Sequence, residues 1–130
     1  MPSRCLILAI FCSVTAVLPV SAHHSHAIFD TERWVTLEGT VRQVHWFFPH
    51  GWIYLEVEDE QGQAQTWAME GANPNSIQLA GVSKDHVRSG DRISARCHPL
   101  RDGSSGCVLG FVTPLHGDTA RGHGVERAWN

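Results

Sequence analysis

The sequence predicts a mainly β protein: a small five-stranded OB-like barrel with one short helix between strands 3 and 4. Two observations carry this prediction. Five segments show the residue alternation or apolar content of strands, and the order of three strands, one helix and two strands is that of an OB barrel. Periodicity alone does not prove that the sheet closes, so an open β-sandwich fragment is the competing architecture. A chain of 130 residues allows one domain and little more.

The first 22 residues are typical of a cleaved export signal. Arg4 supplies a positive charge, an apolar run covers residues 5–20, and Val20-Ser21-Ala22 is a small-residue cleavage pattern. The run is shorter than the roughly 20 apolar residues that cross a bilayer, so we expect no membrane insertion after cleavage. The mature protein is therefore expected to begin at His23 and to be periplasmic or secreted.

Apolar and polar residues alternate from Val35 to Val41, which predicts a half-buried first strand. The apolar positions then shift to Val44 and Trp46, which indicates a β-bulge near residues 42–43. Strands 2 and 3 are separated by a turn at Gln61-Gly62. The later strands are predicted over residues 52–59, 64–70, 92–98 and 107–113.

Alternation also predicts which side chains face the core. In strand 2, Ile53 and Leu55 are expected inside and Trp52 and Tyr54 outside. In strand 3, Glu70 is expected to be exposed on the same outer face. The outer side of strands 2 and 3 is therefore a candidate surface for binding.

The helix signal follows strand 3. Asn73 is a plausible N-cap with Pro74 at the first helical position, Ile77 and Leu79 offer apolar contacts, and Gly81 can end the helix. Residues from 116 onward are polar and glycine-rich without periodicity. We expect a signal over 1–22, a His-rich segment over 23–34, an OB-like domain over 35–115 and a flexible tail over 116–130.

Two cysteines remain after signal cleavage, Cys97 and Cys107, on either side of a turn-forming stretch over residues 101–106. In an oxidising compartment this arrangement favours a disulfide. A two-thiolate metal site is the weaker alternative.

Nine histidines are far more than a chain of this length usually carries. Cleavage after Ala22 would expose His23 and His24, and a terminal histidine offers both an α-amino nitrogen and an imidazole to a metal. Neutral imidazole suits Cu(II) and Zn(II). The competing interpretation is a polar leader whose histidines bind metal only incidentally, and five other histidines, scattered along the chain, carry no specific signal.

His50 is the best candidate for a further ligand, because it lies in a Pro-His bend and shares the outer face with Trp52 and Tyr54. Glu70 is expected on the same face of the neighbouring strand. Such a surface could instead bind a peptide, a glycan or a small ligand. It could also be a patch covered by the N-terminal segment, with Phe29 as a plug.

Charge and motifs narrow the function. Ten Lys and Arg against thirteen Asp and Glu disfavour nucleic-acid binding through phosphate neutralisation. No nucleophile elbow, GxGxxG or phosphate loop is present, so we expect a non-enzymatic protein. An oxidase or oxygenase built on terminal histidines is a third possibility, but the sequence indicates no substrate cleft.

Several motifs together resemble a bacterial family. They are His23-His24-Ser25, Phe29-Asp30, the stretch over 35–41, Trp46, Pro49-His50, the stretch over 52–57, Trp67-Ala68 with Glu70, Pro74-Asn75, Gly90-Asp91 and Asp102-Gly103. The sequence is similar to the exported proteins grouped as domain of unknown function 6152. The resemblance implies an exported protein with a small β fold and brings no established activity. His26, His45 and Phe48 depart from the family pattern, whereas His23, His24, His50 and Glu70 match it.

The leading hypothesis is a periplasmic binding protein that holds a divalent metal, Cu(II) before Zn(II). His23, His24 and His50 would be ligands, with Glu70 as a ligand or as an acceptor behind His50. The alternative is a metal-free OB-like interaction module that uses Trp52 and Tyr54. No protein partner is indicated by the sequence.

Overall fold

The structure, a computed structural model, describes residues 26–130. The predicted signal, His23 and His24 lie outside the described residues. Two 3-10 turns, at His26–Ile28 and Thr119–Arg121, flank the barrel elements. The strands and helix, in chain order, are β1 Val35–His45, β2 Trp52–Glu58, β3 Ala64–Glu70, α1 Pro74–Leu79, β4 Arg92–Pro99, β5 Gly106–Pro114 and β6 Arg127–Ala128.

The sheet closes into a barrel. Its strand order is β3-β2-β1-β4-β5-β6, with antiparallel neighbours throughout. Closure comes from a parallel pairing of β3 with β5, in which Ala68 lies opposite Gly106 and Glu70 opposite Val108. The prediction of a five-stranded OB-like barrel with one short helix is therefore confirmed, and its closure, which periodicity left open, excludes the open sandwich.

β1 pairs with two neighbouring strands, β4 and β2, and has an irregularity along the β2 pairing. It pairs with β4 over Val35–Thr40 and with β2 from Thr40 onward, and its register with β2 shifts between Val41 and Gln43. This is the predicted bulge. At Gly39 a Cβ atom would lie 2.1 Å from the carbonyl oxygen of Glu56, so only glycine lets β1 approach β2 there.

The barrel interior contains the side chains that alternation placed inside. Ile53 and Leu55 of β2, Met69 of β3, and Ile93 and Ala95 of β4 are completely buried. The helix seals the barrel beside them: the side chain of Asn73 accepts a hydrogen bond from Ser76 N–H, and Ile77 is buried. The apolar contact expected from Leu79 is wrong, since this side chain is 91% exposed at the end of a six-residue helix.

Residues 116–130 pack onto the barrel, so the expectation of a flexible tail is wrong. β6 pairs with β5, and Trp129, only 1% exposed, belongs to the hydrophobic core. The Trp129 N–H donates to Gly110 O at 2.9 Å, and Ala72 N–H donates to Trp129 O at 2.7 Å. Trp129 is a single large apolar residue after a polar stretch and is not part of an alternating pattern. Alternation therefore does not reveal it.

Cys97 and Cys107 form the predicted disulfide, with 5.8 Å between their Cα atoms. It joins β4 to β5 at the base of the hairpin that carries Leu100 and Arg101. Closing a loop of this size contributes about 2–3 kcal/mol to folding. Within residues 26–130, no helix is long and apolar enough to span a membrane.

Candidate functional site

Residues 26–30, here called the N-terminal strap, cross the outside of the barrel near the β3–β5 seam. Phe29 forms an isolated β-bridge with Leu100 and is 6% exposed. Arg101 N–H donates to Ile28 O at 2.9 Å. The strap is therefore fixed to the β4–β5 hairpin by backbone hydrogen bonds and by one buried ring.

Two cavities adjoin the strap. The first has a volume of about 670 Å³, within the range of small-ligand pockets, and is lined among others by His26, Phe29, Pro49, His50, Glu70 and Val108. The second, of about 290 Å³, lies under Ile28 and is lined among others by Phe29, Trp52, Glu70, Leu100 and Cys107. Phe29 and Glu70 border both cavities.

His50 and Glu70 meet at the first cavity. His50 lies in the loop before β2, after the cis Phe48–Pro49 peptide bond, and Glu70 ends β3 opposite Trp52. His50 Nδ1 is 3.3 Å from Glu70 Oε1 and 3.1 Å from the carbonyl oxygen of Gly71. Because both neighbours are hydrogen-bond acceptors, the proton is assigned to Nδ1, and the lone pair of the ring is then on Nε2.

Glu70 lies on the predicted face, but its expected exposure is wrong. The residue is 9% exposed, and Phe29 of the strap lines the same two cavities as Glu70. The N-terminal segment therefore lies beside this end of the patch. A carboxylate at this depth needs a hydrogen-bond donor or a positive charge nearby, and His50 supplies the donor.

Trp52 and Tyr54 lie on the outer face of β2 and are half-buried. Their rings are stacked, with centroids 6.4 Å apart and planes 19° from parallel. Tyr54 also meets the ring of His45 edge-on at 5.1 Å. Together with the exposed Phe47, these side chains form an aromatic surface that continues from the second cavity.

A metal site cannot be assembled from the described residues alone. Among residues 26–130 there is no group of three or more His, Cys, Asp or Glu side chains that could hold a metal ion. The structure brings together His50 and Glu70, while the other two candidate ligands, His23 and His24, lie outside the described residues.

A second polar cluster lies beneath the C-terminal segment, and sequence reasoning missed it. His86 is 2% exposed, and both of its ring nitrogens lack a hydrogen-bond partner among the described residues. Burial, followed by the charges of His123, Arg127 and Arg121, lowers the pKa of His86 to about 4. Arg121 in turn forms an ion pair with Asp91. These residues are far apart in sequence, so no motif could have revealed the cluster.

Comparison with known proteins supports the fold. Two crystal forms of the mitochondrial single-stranded DNA-binding protein Rim1 from S. cerevisiae are similar to this chain. One has a TM-score of 0.50 at 11% identity, over 66% of this chain and 96% of that one. The other has a TM-score of 0.48 at 13% identity, over 66% and 97%. At 11% identity the first of these likenesses shows an OB-like fold and nothing about function.

Among curated proteins, no sequence matches this chain significantly. A family model does match, and its match covers residues 11–109, from before the strap to the middle of β5. That span is well over half of the chain and includes Phe29, His50 and Glu70. The chain therefore belongs to the family of unknown function DUF6152.

Proposed function

We propose that this protein is an exported, non-enzymatic binding protein that holds a divalent transition metal, Cu(II) before Zn(II). Its ligands are His23, His24 and His50, and Glu70 orients His50. The observation that carries the proposal is the His50–Glu70 pair, 3.3 Å apart, in a cavity that is also lined by His26.

The pair is arranged as a metal-binding histidine and its supporting acceptor. A ligating imidazole commonly donates its other N–H to a carboxylate or a backbone carbonyl, which fixes the ring. His50 Nδ1 faces Glu70 and Gly71 O in this way. Nε2 is then the coordinating atom, and Glu70 acts behind the ligand instead of on the metal.

Chain connectivity supports the other two ligands. Consecutive Cα atoms are about 3.8 Å apart, so the Cα atom of His24 is at most about 8 Å from that of His26. His23 is at most about 11 Å away by the same argument. Since His26 lines the cavity of His50, this connectivity supports the assignment of both histidines as ligands.

Export creates the remaining ligand. Cleavage after Ala22 converts the backbone nitrogen of His23 into a free amine, which can bind a metal together with its own imidazole. Neutral nitrogen ligands favour Cu(II) over Zn(II) in the general affinity order of divalent metals. The proposal therefore requires a native N-terminus.

Calorimetry with Cu(II) and with Zn(II) tests this proposal on protein processed by its own signal, with the terminus checked by N-terminal sequencing. We expect one bound equivalent. The double variant His23→Ala, His50→Ala should abolish binding, and Glu70→Gln should weaken it about 10- to 100-fold. His116→Ala is the control, since this histidine is exposed and far along the chain. Equal affinity of the double variant and the wild type would overturn the proposal.

A second candidate is a metal-free interaction module for a peptide or a glycan. It is favoured by the stacked Trp52–Tyr54 pair beside the exposed Phe47 and Phe48. Peptide and glycan arrays test it: Trp52→Ala should abolish capture, while a chelator should change nothing. Trp34→Ala is the matched control, because Trp34 is an exposed ring next to His98 on β4.

Nucleic acid is the less favoured ligand of the barrel, although Rim1 is a single-stranded DNA-binding protein. Binding of phosphates depends on clustered Lys and Arg, and here Asp and Glu outnumber them, 13 to 10. Fluorescence anisotropy with a single-stranded oligonucleotide at low and physiological salt should show no saturable binding.

A further inference from the structure

We propose that the second cavity is a binding site for a small organic amine with an apolar body. Its ammonium group would pair with the carboxylate of Glu70, and its apolar body would lie against Trp52 and Leu100. This site is distinct from the proposed metal site and does not require a bound metal.

The cavity has the size and walls of a small-ligand site. Its volume of about 290 Å³ is just below the range of about 300–1,000 Å³ for such pockets and suits a small ligand. Ile28 and Phe29 border it on the strap side, while Leu100 and the disulfide residue Cys107 border it on the hairpin side. These walls are apolar, and the adjoining Trp52 ring is half-buried.

The walls are also well defined. A Cβ atom at Gly106 would lie 2.6 Å from Leu100 Cδ1, so the hairpin is packed tightly against this side chain. The disulfide joins the two strands of the same hairpin. A pocket on such a rigid support can select its ligand by shape without ordering a loop first.

The charge of the residues that line the cavity favours a cationic ligand. Among the described residues that line it, Glu70 carries the only charged side chain, and that side chain is largely shielded from water. A buried carboxylate repels an anionic ligand, gains little from an uncharged one, and pairs with an ammonium group. An ammonium group near Trp52 is further stabilised by the face of its ring.

The Glu70 carboxylate can take part in both the proposed metal site and the proposed amine site. Glu70 contacts His50 at the edge of the first cavity and also lines the second cavity. An ammonium group bound from the second side would approach Glu70 without displacing His50. The two binding events share one residue, and each can be measured alone.

Calorimetry or tryptophan fluorescence with phenethylamine tests the inference, using protein dialysed against EDTA. Two analogues of similar shape control for charge: 2-phenylethanol is neutral and phenylacetate is anionic. We expect phenethylamine to bind at least tenfold more tightly than 2-phenylethanol, and phenylacetate not to bind. Equal binding of the amine and the alcohol would overturn the proposal.

Variants locate the site. Glu70→Gln should weaken phenethylamine binding at least tenfold, whereas Glu56→Gln, at an outer-face carboxylate paired with Arg42, should leave it unchanged. Ala68→Leu, which fills the second cavity, should abolish binding and covers the case in which Glu70→Gln fails to fold. His23→Ala should not affect the amine, so failure of the metal proposal and failure of this one are distinguishable. Unchanged binding by Ala68→Leu would overturn the assignment to this cavity.

Discussion

The two ends of the described chain both lie against the outside of the barrel, but they are attached differently. The N-terminal strap contributes one buried ring, Phe29, and adjoins two cavities. The C-terminal segment contributes Trp129, which enters the hydrophobic core, and a strand that pairs with β5. The N-terminal strap therefore leaves cavities beside it, whereas the C-terminal segment fills part of the core.

This difference in attachment predicts that one end of the chain mainly affects stability and the other mainly affects binding. Trp129 packs edge-on against Trp46, with ring centroids 5.6 Å apart, and its backbone bonds to both Gly110 and Ala72. The strap, in contrast, lines a cavity together with a polar pair, His50 and Glu70, that contributes less to folding than an apolar contact of equal area. We therefore expect variants of the C-terminal segment to change the free energy of unfolding most, and variants near the strap to change binding most.

The largest effect is expected for Trp129→Ala. Truncating a completely buried tryptophan removes apolar contacts and leaves a cavity, which costs about 3–5 kcal/mol. Urea denaturation followed by circular dichroism should show this loss as a lower midpoint at unchanged slope.

Two variants control for this prediction. Trp129→Phe keeps a ring and removes the indole N–H, which has no hydrogen-bond partner among residues 26–130, so its cost should be well below that of alanine. Phe48→Ala removes an exposed ring and should change stability by less than about 0.5 kcal/mol. A similar small loss for Trp129→Ala would mean that the C-terminal segment is not part of the folded core.

The barrel could be predicted from the sequence, but the packing of Trp129 into its core could not. The alternation of Ile53 and Leu55, the cap at Asn73 and the shift at the β1 bulge are local patterns, and each is decided by a few neighbouring residues. Trp129 enters the core through a contact with distant strands, and its own neighbours carry no period. Tertiary packing of this kind leaves no local signal in one sequence.

The second-largest effect is expected from acid, which should lower the free energy of unfolding through His86. The pKa of His86 is about 4 in the folded protein and 6.5 when unperturbed, so the unfolded chain binds a proton that the folded chain excludes. Stability from this residue is therefore complete above about pH 6.5 and falls as the pH decreases toward 4. The total loss between these two pKa values is about 3 kcal/mol.

Urea denaturation between pH 7 and pH 4 measures this loss. His86→Gln should flatten the dependence over that window, because glutamine does not titrate. His116→Gln should retain it, because His116 is exposed. The same pH dependence in His86→Gln as in the wild type would assign the acid sensitivity to other groups.

The candidate site could be predicted only in part. Strand parity placed Glu70 and Trp52 on one face, and the Pro-His bend identified His50, because these depend on the spacing along two neighbouring strands. The burial of Glu70 depends on tertiary packing at the end of β3, which no periodicity describes. The cluster around His86 joins residues from two distant segments, 86–91 and 121–127, and a scattered histidine gives no indication of its partners.

Phe29→Ala should have a smaller effect on stability than Trp129→Ala. Phe→Ala in a core costs about 3–5 kcal/mol, but Phe29 borders two cavities and has fewer neighbours to lose, so we expect about 2 kcal/mol. Urea denaturation measures it, with the exposed Ile28→Ala as the control. If Phe29→Ala cost as much as Trp129→Ala, the strap would have to be counted as part of the core.

The smallest effect is expected for Arg101→Ala. Its guanidinium is 3.8 Å from Asp30 and donates to the carbonyl oxygen of Ala27 at 3.1 Å, but the side chain is more than half exposed. Exposed ion pairs of this length contribute between 0 and about 1 kcal/mol, so the free energy of unfolding should change by less than about 1 kcal/mol. Amide hydrogen exchange is the more sensitive measurement: Phe29 and Asp30 should exchange faster, whereas Trp129 should not change. Faster exchange at Trp129 as well would show that the two ends are energetically coupled through the barrel, and the separation of binding from stability would not hold.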